Sequence, residues 1–266
     1  MKDLSLGKPT NYPNTYDSDL LVPIDRLESR SNKGVDNPIQ RMYGVDAWTS
    51  YELSWLDSKS IPKNGILYLT YNASSKNFIE SKSLKLYLNS LNNTKFSSRE
   101  ILISTLQEDL DNCTQSKVSI EILQSPKTIE ESFFSIDSTS IENVSSEVNS
   151  LVLKTQDEFI EEKVSSSLFR SLCPVTSQPD WATVGIEYQG LKIIHETLLS
   201  YLLSYRNHQG FHEECVERIF FDILKRCQPE SITVRANFLR RGGIEINPIR
   251  STVKEFNREL FRGERQ

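Results

Sequence analysis

Residues 172–181 read LCPVTSQPDW, and two of their side chains can do covalent chemistry together. Cys173 stands before Pro174, and Asp180 stands between Pro179 and Trp181. The nucleophilic form of a cysteine is the thiolate, and an ordinary thiol of pKa about 8.5 is only a few per cent ionised at pH 7. Such a cysteine needs a basic or hydrogen-bonding neighbour. The two prolines restrict the backbone, and that stiffness would hold thiol and carboxyl on opposite sides of one small substrate. A carboxyl kept protonated by burial could then serve as general acid. The same residues also suit a cysteine at a strand end and a turn aspartate after a proline, and spacing alone leaves the two readings level.

Three further clusters carry chemistry. Glu80, in ESKSLKLY at a helix start, could accept hydrogen bonds from an amidine-like heterocycle edge, with Lys82 facing a phosphate; taken alone, the residues favour an ordinary amphipathic helix with solvated lysines. His212-Glu213 follow Gly210-Phe211 where a helix should begin, and a histidine there could position a substrate or shuttle a proton. A neutral His beside a helix-start acid is the plain alternative. Arg240-Arg241-Gly242-Gly243 combines a planar guanidinium fork with glycines that let a phosphate approach the backbone; a basic β-turn has the same composition. His195 and His208 read as surface or packing residues.

The 266 residues suffice for one large domain or two ordinary ones. No run approaches the roughly 18 apolar residues of a membrane span. The first residues, MKDLSLGKPTNYPNTY, lack an apolar leader, so a cytoplasmic chain is expected. A net charge of −5 disfavours gripping long nucleic acid, which needs a basic face. The four cysteines, Cys113, Cys173, Cys215 and Cys227, form no CxxC pair and no zinc spacing, so no metal is expected and at least three should fill core space as reduced thiols.

The elements that must position these residues come in two rounds. SYELSWLD and GILYLTYNA are strand-like; IESKSLKLYLNSL and SSREILISTLQEDLDN are helical, with Ser98 as cap; KVSIEIL alternates as a strand. The second round runs FRSLCPVT and WATVGIEY, then helical IIHETLLSYLLSYRN and FHEECVERIFFDILKRC, then SITVRANF and GGIEINPI. Tyr87-Leu88-Asn89-Ser90 lies over Tyr201-Leu202-Leu203-Ser204, an offset of about 114 residues that is too long for a solenoid. The order predicts an α+β fold of two modules, each antiparallel β-β-α-α-β-β with helices on one face. The expected divisions are an extended arm over 1–45, a first module over 46–125, a Ser- and Glu-rich linker over 126–150 and a second module over 151–266. No G-x-G-x-x-G or P-loop is present.

Together, ESKSLKLY, LCPVTSQPDW, FHEECVERI and RRGGIEINP resemble the signature blocks of the QueF nitrile reductases, the NADPH-dependent 7-cyano-7-deazaguanine reductases of queuosine biosynthesis. LGKPTNYPNTYDSDLLVPIDR and YGVDAWTSYELSWLD extend the resemblance to nearly the whole chain, and it is weakest from about 110 to 150. The resemblance implies tandem tunnelling-fold modules of the long, bimodular form, a homodimer, and a small-molecule deazapurine substrate with no direct nucleic-acid or membrane partner. By it, Cys173 would attack the nitrile carbon to give a thioimide and Asp180 would protonate the nitrogen. Two NADPH, with no metal, would then carry nitrile through imine to amine. Glu80 and Glu213 would hold the deazapurine edge, with Ile79, Ser81 and His212 lining the pocket; Ser81, Lys82, Arg241 and Gly242 would meet NADPH. Glu80 lies in one half and the Cys173 group in the other, so the site is expected at a seam between modules, with Ile194 marking where a second anchor was lost. Rival readings are a thiol peroxidase using Cys173, a zinc cyclohydrolase of the same fold, and a purine- or pterin-binding module without catalysis. The peroxidase usually places Pro and Thr before its cysteine, whereas here both follow.

Overall fold

The computed structural model describes residues 12–31, 42–127 and 132–258. The start of the arm, residues 1–11, and part of the expected linker, residues 128–131, lie outside the described residues. Two compact units form: residues 12–31, 46–127 and 240–245 in the first, and 42–45, 132–239 and 246–258 in the second.

In the first unit, β1 (Pro23–Asp25) leads into a short helix α1 (Arg26–Ser31), followed by β2 (Tyr43–Leu56, from Asp46 onward) and β3 (Pro62–Asn72). A short β4 (Asn77–Ile79) precedes α2 (Ser81–Ser90), and α3 (Arg99–Thr114) leads to β5 (Val118–Leu123). Helix α3 starts where the sequence says it should. Ser98, in extended backbone, accepts the Ile101 N–H on its hydroxyl, and Leu102, Leu106, Leu110 and Cys113 recur on one buried face. β5 pairs antiparallel with β3 from Ile66↔Leu123 to Tyr71↔Val118, and β3 lies beside β2.

In the second unit, β6 (Phe134–Ser135) precedes two long strands, β7 (Thr155–Leu172) and β8 (Pro179–Ile193). Then come α4 (His195–Leu203), α5 (His212–Cys227), β9 (Ser231–Phe238) and β10 (Ile244–Ser251, from Ile246 onward). The order β10-β9-β8-β7-β6 is antiparallel except for the two-residue β6–β7 pairing. Both helices bury into one core with the strands: Leu198, Leu199 and Leu202 of α4 meet Val216, Ile219, Phe220 and Ile223 of α5 over Val184, Ile186, Val234 and Ala236. Helix α5 is acidic at its start, Glu213 and Glu214, and basic at its end, Lys225 and Arg226, as its dipole favours.

The α+β class and the module order hold, with one difference. The second unit has two strands after its helices, whereas the described residues of the first continue from α3 into β5 alone. The residues beyond Leu123, QSPK, break the alternation a further strand needs.

The internal repeat has a physical basis. Tyr87 Oη donates to Asp109 Oδ2 at 2.6 Å, tying α2 to α3, and Tyr201 Oη donates to Asp222 Oδ2 at 2.7 Å, tying α4 to α5. Ser90 and Ser204 each return a 2.6 Å hydroxyl bond to the carbonyl of that tyrosine. The repeat also reaches a segment expected to be extended arm. Asp17 Oδ1 accepts the Asp19 N–H and opens a 3-10 turn over Ser18–Leu20; Asn149 Oδ1 accepts the Leu151 N–H and opens another over Ser150–Val152. From there Val22 clips the start of α2: its N–H donates to Ser83 Oγ, and its carbonyl accepts the Glu80 N–H. Lys154 clips α4 in the same way, through Thr197 Oγ1 and the Ile194 N–H. Neither lead-in segment is a slack connector, because each orders a helix start.

Candidate active site

The Cys173 loop is a tight turn closing the β7–β8 hairpin. The ladder pairs Ser171 with Asp180 and Leu172 with Pro179, and Cys173 N–H donates to the Gln178 carbonyl at 2.8 Å. Ser177 N–H returns to the Cys173 carbonyl at 3.0 Å, with Ser177 in the left-handed region at φ 57°. Pro179 opens β8, a position where a missing N–H is tolerated. The hairpin end is then fixed to the entry of α5: Leu172 N–H donates to the His208 carbonyl, Gly210 N–H to the Leu172 carbonyl, and Gln209 Nε2 to Ser177 Oγ at 2.8 Å. The entry of α5 packs closely on itself at Gly210, where a Cβ would lie 3.1 Å from His208 Nε2 and 3.3 Å from Cys215 Sγ.

Strand alternation decides which side chains share a face. Ser171 and Asp180 are opposite partners, and Cys173 continues the same ladder two residues beyond Ser171, so all three side chains share one side. Cys173 and Asp180 are diagonal neighbours, a placement that sets Cα atoms roughly 7–8 Å apart. Ala182 follows Asp180 on this face, opposite Phe238 of β9. The ring of His212, first residue of α5, stacks on Phe238 with centroids 3.8 Å apart and an interplanar angle of 10°. His212 Nε2 stands 3.5 Å from Asp180 Oδ2, while its Nδ1 is buried with no hydrogen-bond partner. Cys173 and Asp180 are each 5% exposed, and Glu213 is buried beside His212 on α5. Phe211 N–H donates to Glu214 Oε2 at 2.9 Å, which fixes the entry of α5.

In the first unit, Glu80 is the N-cap of α2. Its Oε1 accepts the Lys82 N–H at 2.8 Å and its Oε2 the Ser83 N–H at 2.7 Å. It is 1% exposed. Ile79 ends β4, with its N–H on Tyr71 Oη, and Ser81 opens the helix. A glutamate is an unusual cap, since shorter Asp, Asn, Ser and Thr fill that position more readily. The matching position of the second unit, Ile194, caps α4 with no side-chain bond. Arg241, Gly242 and Gly243 form a turn in which the glycines have φ of +59° and +76°, and Arg241 exchanges backbone bonds with Ile244. A Cβ on Gly242 would lie 3.7 Å from Lys85 Cδ, so the turn stands beside the second turn of α2. Lys85 itself pairs with Glu52, and Arg240 stacks on Tyr51 and faces Glu245. These residues would suit a phosphate-bearing ligand on the Gly242 side, where basic side chains flank the turn; on the Gly243 side the Glu52 carboxylate closes in, 2.5 Å from where a Cβ would stand. Because Glu80 occupies the Lys82 and Ser83 amides, side chains rather than the helix end would meet a phosphate.

The structure thus places Cys173, Asp180 and His212 together in the second unit, with Glu213 next on α5, and Ile79, Glu80, Ser81 and Lys82 in succession in the first, with the Arg241–Gly242 turn beside Lys85 of the same helix. Burial pushes the Cys113 thiol up to about 12 and the Cys227 thiol to about 11, and Cys215 is wholly buried. His195 is more than a surface residue: its Nε2 lies 2.9 Å from Glu162 Oε1, and Glu162 Oε2 accepts the Tyr188 hydroxyl. Among the described residues, no three His, Cys, Asp or Glu side chains gather to hold a metal ion, and no helix is long and apolar enough to cross a membrane. Ser171 and Phe238 are not singled out by spacing or residue type. The signal for Ser171 is its place two residues before Cys173 on an alternating strand.

Comparison with known proteins supplies the context. Residues 12–122 match the family model described as "Nitrile reductase, 7-cyano-7-deazaguanine-reductase N-term", and residues 179–257 match "QueF-like protein". An NADPH-dependent 7-cyano-7-deazaguanine reductase of Legionella pneumophila (strain Lens) is 44% identical over 253 residues, covering 93% of this chain and 89% of the relative. The chain belongs to this reductase family. A family member of the same name from Desulfotalea psychrophila is 43% identical over 259 residues, covering 95% of this chain and 94% of its own. A solved structure of the archaeosine synthase QueF-Like in the apo form aligns with 38% of this chain at 18% identity and a TM-score of 0.32, a likeness too slight to carry weight.

Proposed function

We propose that this chain reduces the nitrile of 7-cyano-7-deazaguanine to the primary amine, consuming two NADPH, with Cys173 as nucleophile and Asp180 as acid, in the queuosine pathway. The observation that carries the reading is the shared face of Cys173 and Asp180, with His212 3.5 Å from the carboxyl.

The chemistry needs both groups. A nitrile is a weak electrophile, and adding hydride directly would strand negative charge on nitrogen. Addition of the Cys173 thiolate to the carbon splits the barrier into smaller ones. As the S–C bond forms, one C–N π pair moves to nitrogen and takes the proton from Asp180, giving a neutral thioimide and a carboxylate. NADPH supplies hydride to carbon twice, and two protons complete the amine: R–C≡N + 2 NADPH + 2 H⁺ gives R–CH2–NH2 + 2 NADP⁺. The Cys173 sulfur leaves as thiolate between the two reductions. Burial of the pair keeps bulk water from the reactive carbon.

In this reading Glu80 and Glu213 accept hydrogen bonds from the base, Ile79, Ser81 and His212 line it, and Ser81, Lys82, Arg241 and Gly242 hold NADPH. A wrong base would fail to donate to these buried carboxylates beyond the bonds that the Lys82 and Ser83 amides already give Glu80, which is how such sites discriminate. The enzyme acts as a cytoplasmic homodimer on the free base, and its net charge of −5 accords with no direct hold on nucleic acid.

The test is stoichiometry with a variant. Wild-type enzyme should oxidise two NADPH per nitrile consumed, and Asp180→Asn should reduce at least about a hundredfold more slowly, as expected when a general acid is lost. A ratio of one, or an Asp180→Asn enzyme at wild-type rate, would contradict the assignment.

A further inference from the structure

Ser171 has a buried hydroxyl with nothing to bond. The residue is 0% exposed, and its Oγ has no hydrogen-bond partner. Buried polar groups are almost always satisfied, and leaving one unmade is costly, so an orphan beside a reactive pair is evidence of a partner acquired in another state. Its neighbours on that face are Phe169 two residues before, Cys173 two residues after, and Asp180 directly opposite. Phe169 is wholly buried against Tyr205 and Phe238 and offers no acceptor.

We propose that Ser171 is a positioning residue for the reduction: its hydroxyl donates a hydrogen bond to the Asp180 carboxylate once that group has given its proton to the substrate nitrogen. The inference rests on the reading of Asp180 as the acid. In the structure Asp180 Oδ2 is oriented toward His212 Nε2 at 3.5 Å, and the serine stands in reserve across the hairpin. A cross-strand pair of this kind brings side chains within reach of one rotamer change. Serine is well matched to this role, because its hydroxyl can donate without ionising and its size leaves the substrate face clear. A donor to the carboxylate favours the charged form and makes Asp180 a stronger acid. Proton transfer stays with Asp180, and Ser171 stabilises what is left behind. The titratable groups nearest this face are Cys173 on the hairpin, His212 beside Asp180, Tyr205, whose ring packs on Phe169, and His208, whose carbonyl holds the Leu172 N–H; Glu213 and Cys215 are buried in the first turn of α5.

The experiment measures the rate of thioimide formation against pH with full-length protein and the nitrile substrate alone. Formation requires the Cys173 thiolate and the Asp180 acid together, so the rate is bell-shaped in pH and one of its limbs carries the Asp180 pKa. Ser171→Ala removes the donor, raises that pKa, and moves that limb up by about one pH unit, the size expected for one hydrogen bond to a charged group, while the other limb stays in place. Ser171→Thr keeps the hydroxyl and restores the wild-type limb. A purely structural role would lower the rate at every pH without moving the limb, and that result overturns the proposal. Should Ser171→Ala fail to fold, Ser171→Gly, which also lacks the hydroxyl, is read the same way, and an unmoved limb again refutes it. If wild-type enzyme forms no thioimide at all, the reading of Asp180 fails first, and the two failures are distinguishable.

Discussion

Glu80→Gln separates two jobs that one carboxylate performs. Each Glu80 oxygen accepts a backbone N–H, from Lys82 at 2.8 Å and from Ser83 at 2.7 Å. Glutamine keeps one acceptor and turns an NH2 toward the other amide. Loss of the charge at the start of α2 costs about 0.3–1 kcal/mol, and a buried N–H left facing another donor costs about 1–3 kcal/mol. The sum is about 1.3–4 kcal/mol, concentrated in the first turn of a ten-residue helix. Hydrogen exchange reads it locally: amides 82 and 83 should exchange about 10- to 700-fold faster, at 1.4 kcal/mol per tenfold. The proposed role toward the base predicts a second effect, a rise of at least tenfold in KM for the nitrile. Ser83→Ala is the control. It removes the hydroxyl that accepts the Val22 N–H and donates to the Glu80 carbonyl, loosening the same turn with the carboxylate intact. That variant should show faster exchange with KM unchanged. Unaltered exchange in Glu80→Gln refutes the capping geometry; faster exchange with an unaltered KM refutes the role toward substrate.

The helix-tying tyrosines predict unequal losses. Tyr201→Phe should cost about 2–3 kcal/mol, because its wholly buried hydroxyl bonds Asp222 and Tyr205 together, whereas Tyr87→Phe should cost about 1 kcal/mol, since Tyr16 also donates to Asp109; urea midpoints of the two variants check this. Thiol labelling of native protein at pH 8 should spare Cys113 and Cys227, whose thiolate fractions are about one in ten thousand and one in a thousand; peptide mapping that finds either labelled before unfolding would contradict their burial. Burial alone would raise Asp111, but hydrogen bonds from Lys117, Val118 N–H and Gln107 hold its carboxyl below the ordinary carboxylate value. Its stabilisation is therefore complete above the unfolded pKa near 4 and is lost as pH falls through the lower folded value. Asp111→Asn should cost about 1 kcal/mol at pH 7 and flatten the acid unfolding curve below pH 4, as followed by circular dichroism.

Much of the fold was legible because local signals agreed with the tertiary outcome. Ser98 and the leucine face announced α3, and the charge gradient of FHEECVERIFFDILKRC announced α5. The lead-in segments were not legible, since their order comes from bonds to partners far along the chain: Val22 to Ser83, and Lys154 to Thr197. The Asp17 and Asn149 turns were the available clue, each an Asx residue followed by serine. The first half of β7, TQDEFIEEK, is assigned no element from the sequence alone, since it is mostly exposed and only its pairing with β8 makes it strand. In the site, spacing singled out Cys173 and Asp180 without deciding between a catalytic and a structural pair, and register was needed to place them on one face with Ser171. The double bond of Glu80 to its own helix was equally invisible, because glutamate seldom caps.

Intact-mass spectrometry of the protein incubated with 7-cyano-7-deazaguanine, without NADPH, tests the central claim most directly. Wild-type protein should gain the full mass of the nitrile on the peptide carrying Cys173, and Cys173→Ala should remain at its own mass. A wild-type protein that gains nothing, or a Cys173→Ala protein that still carries the adduct, would contradict the account.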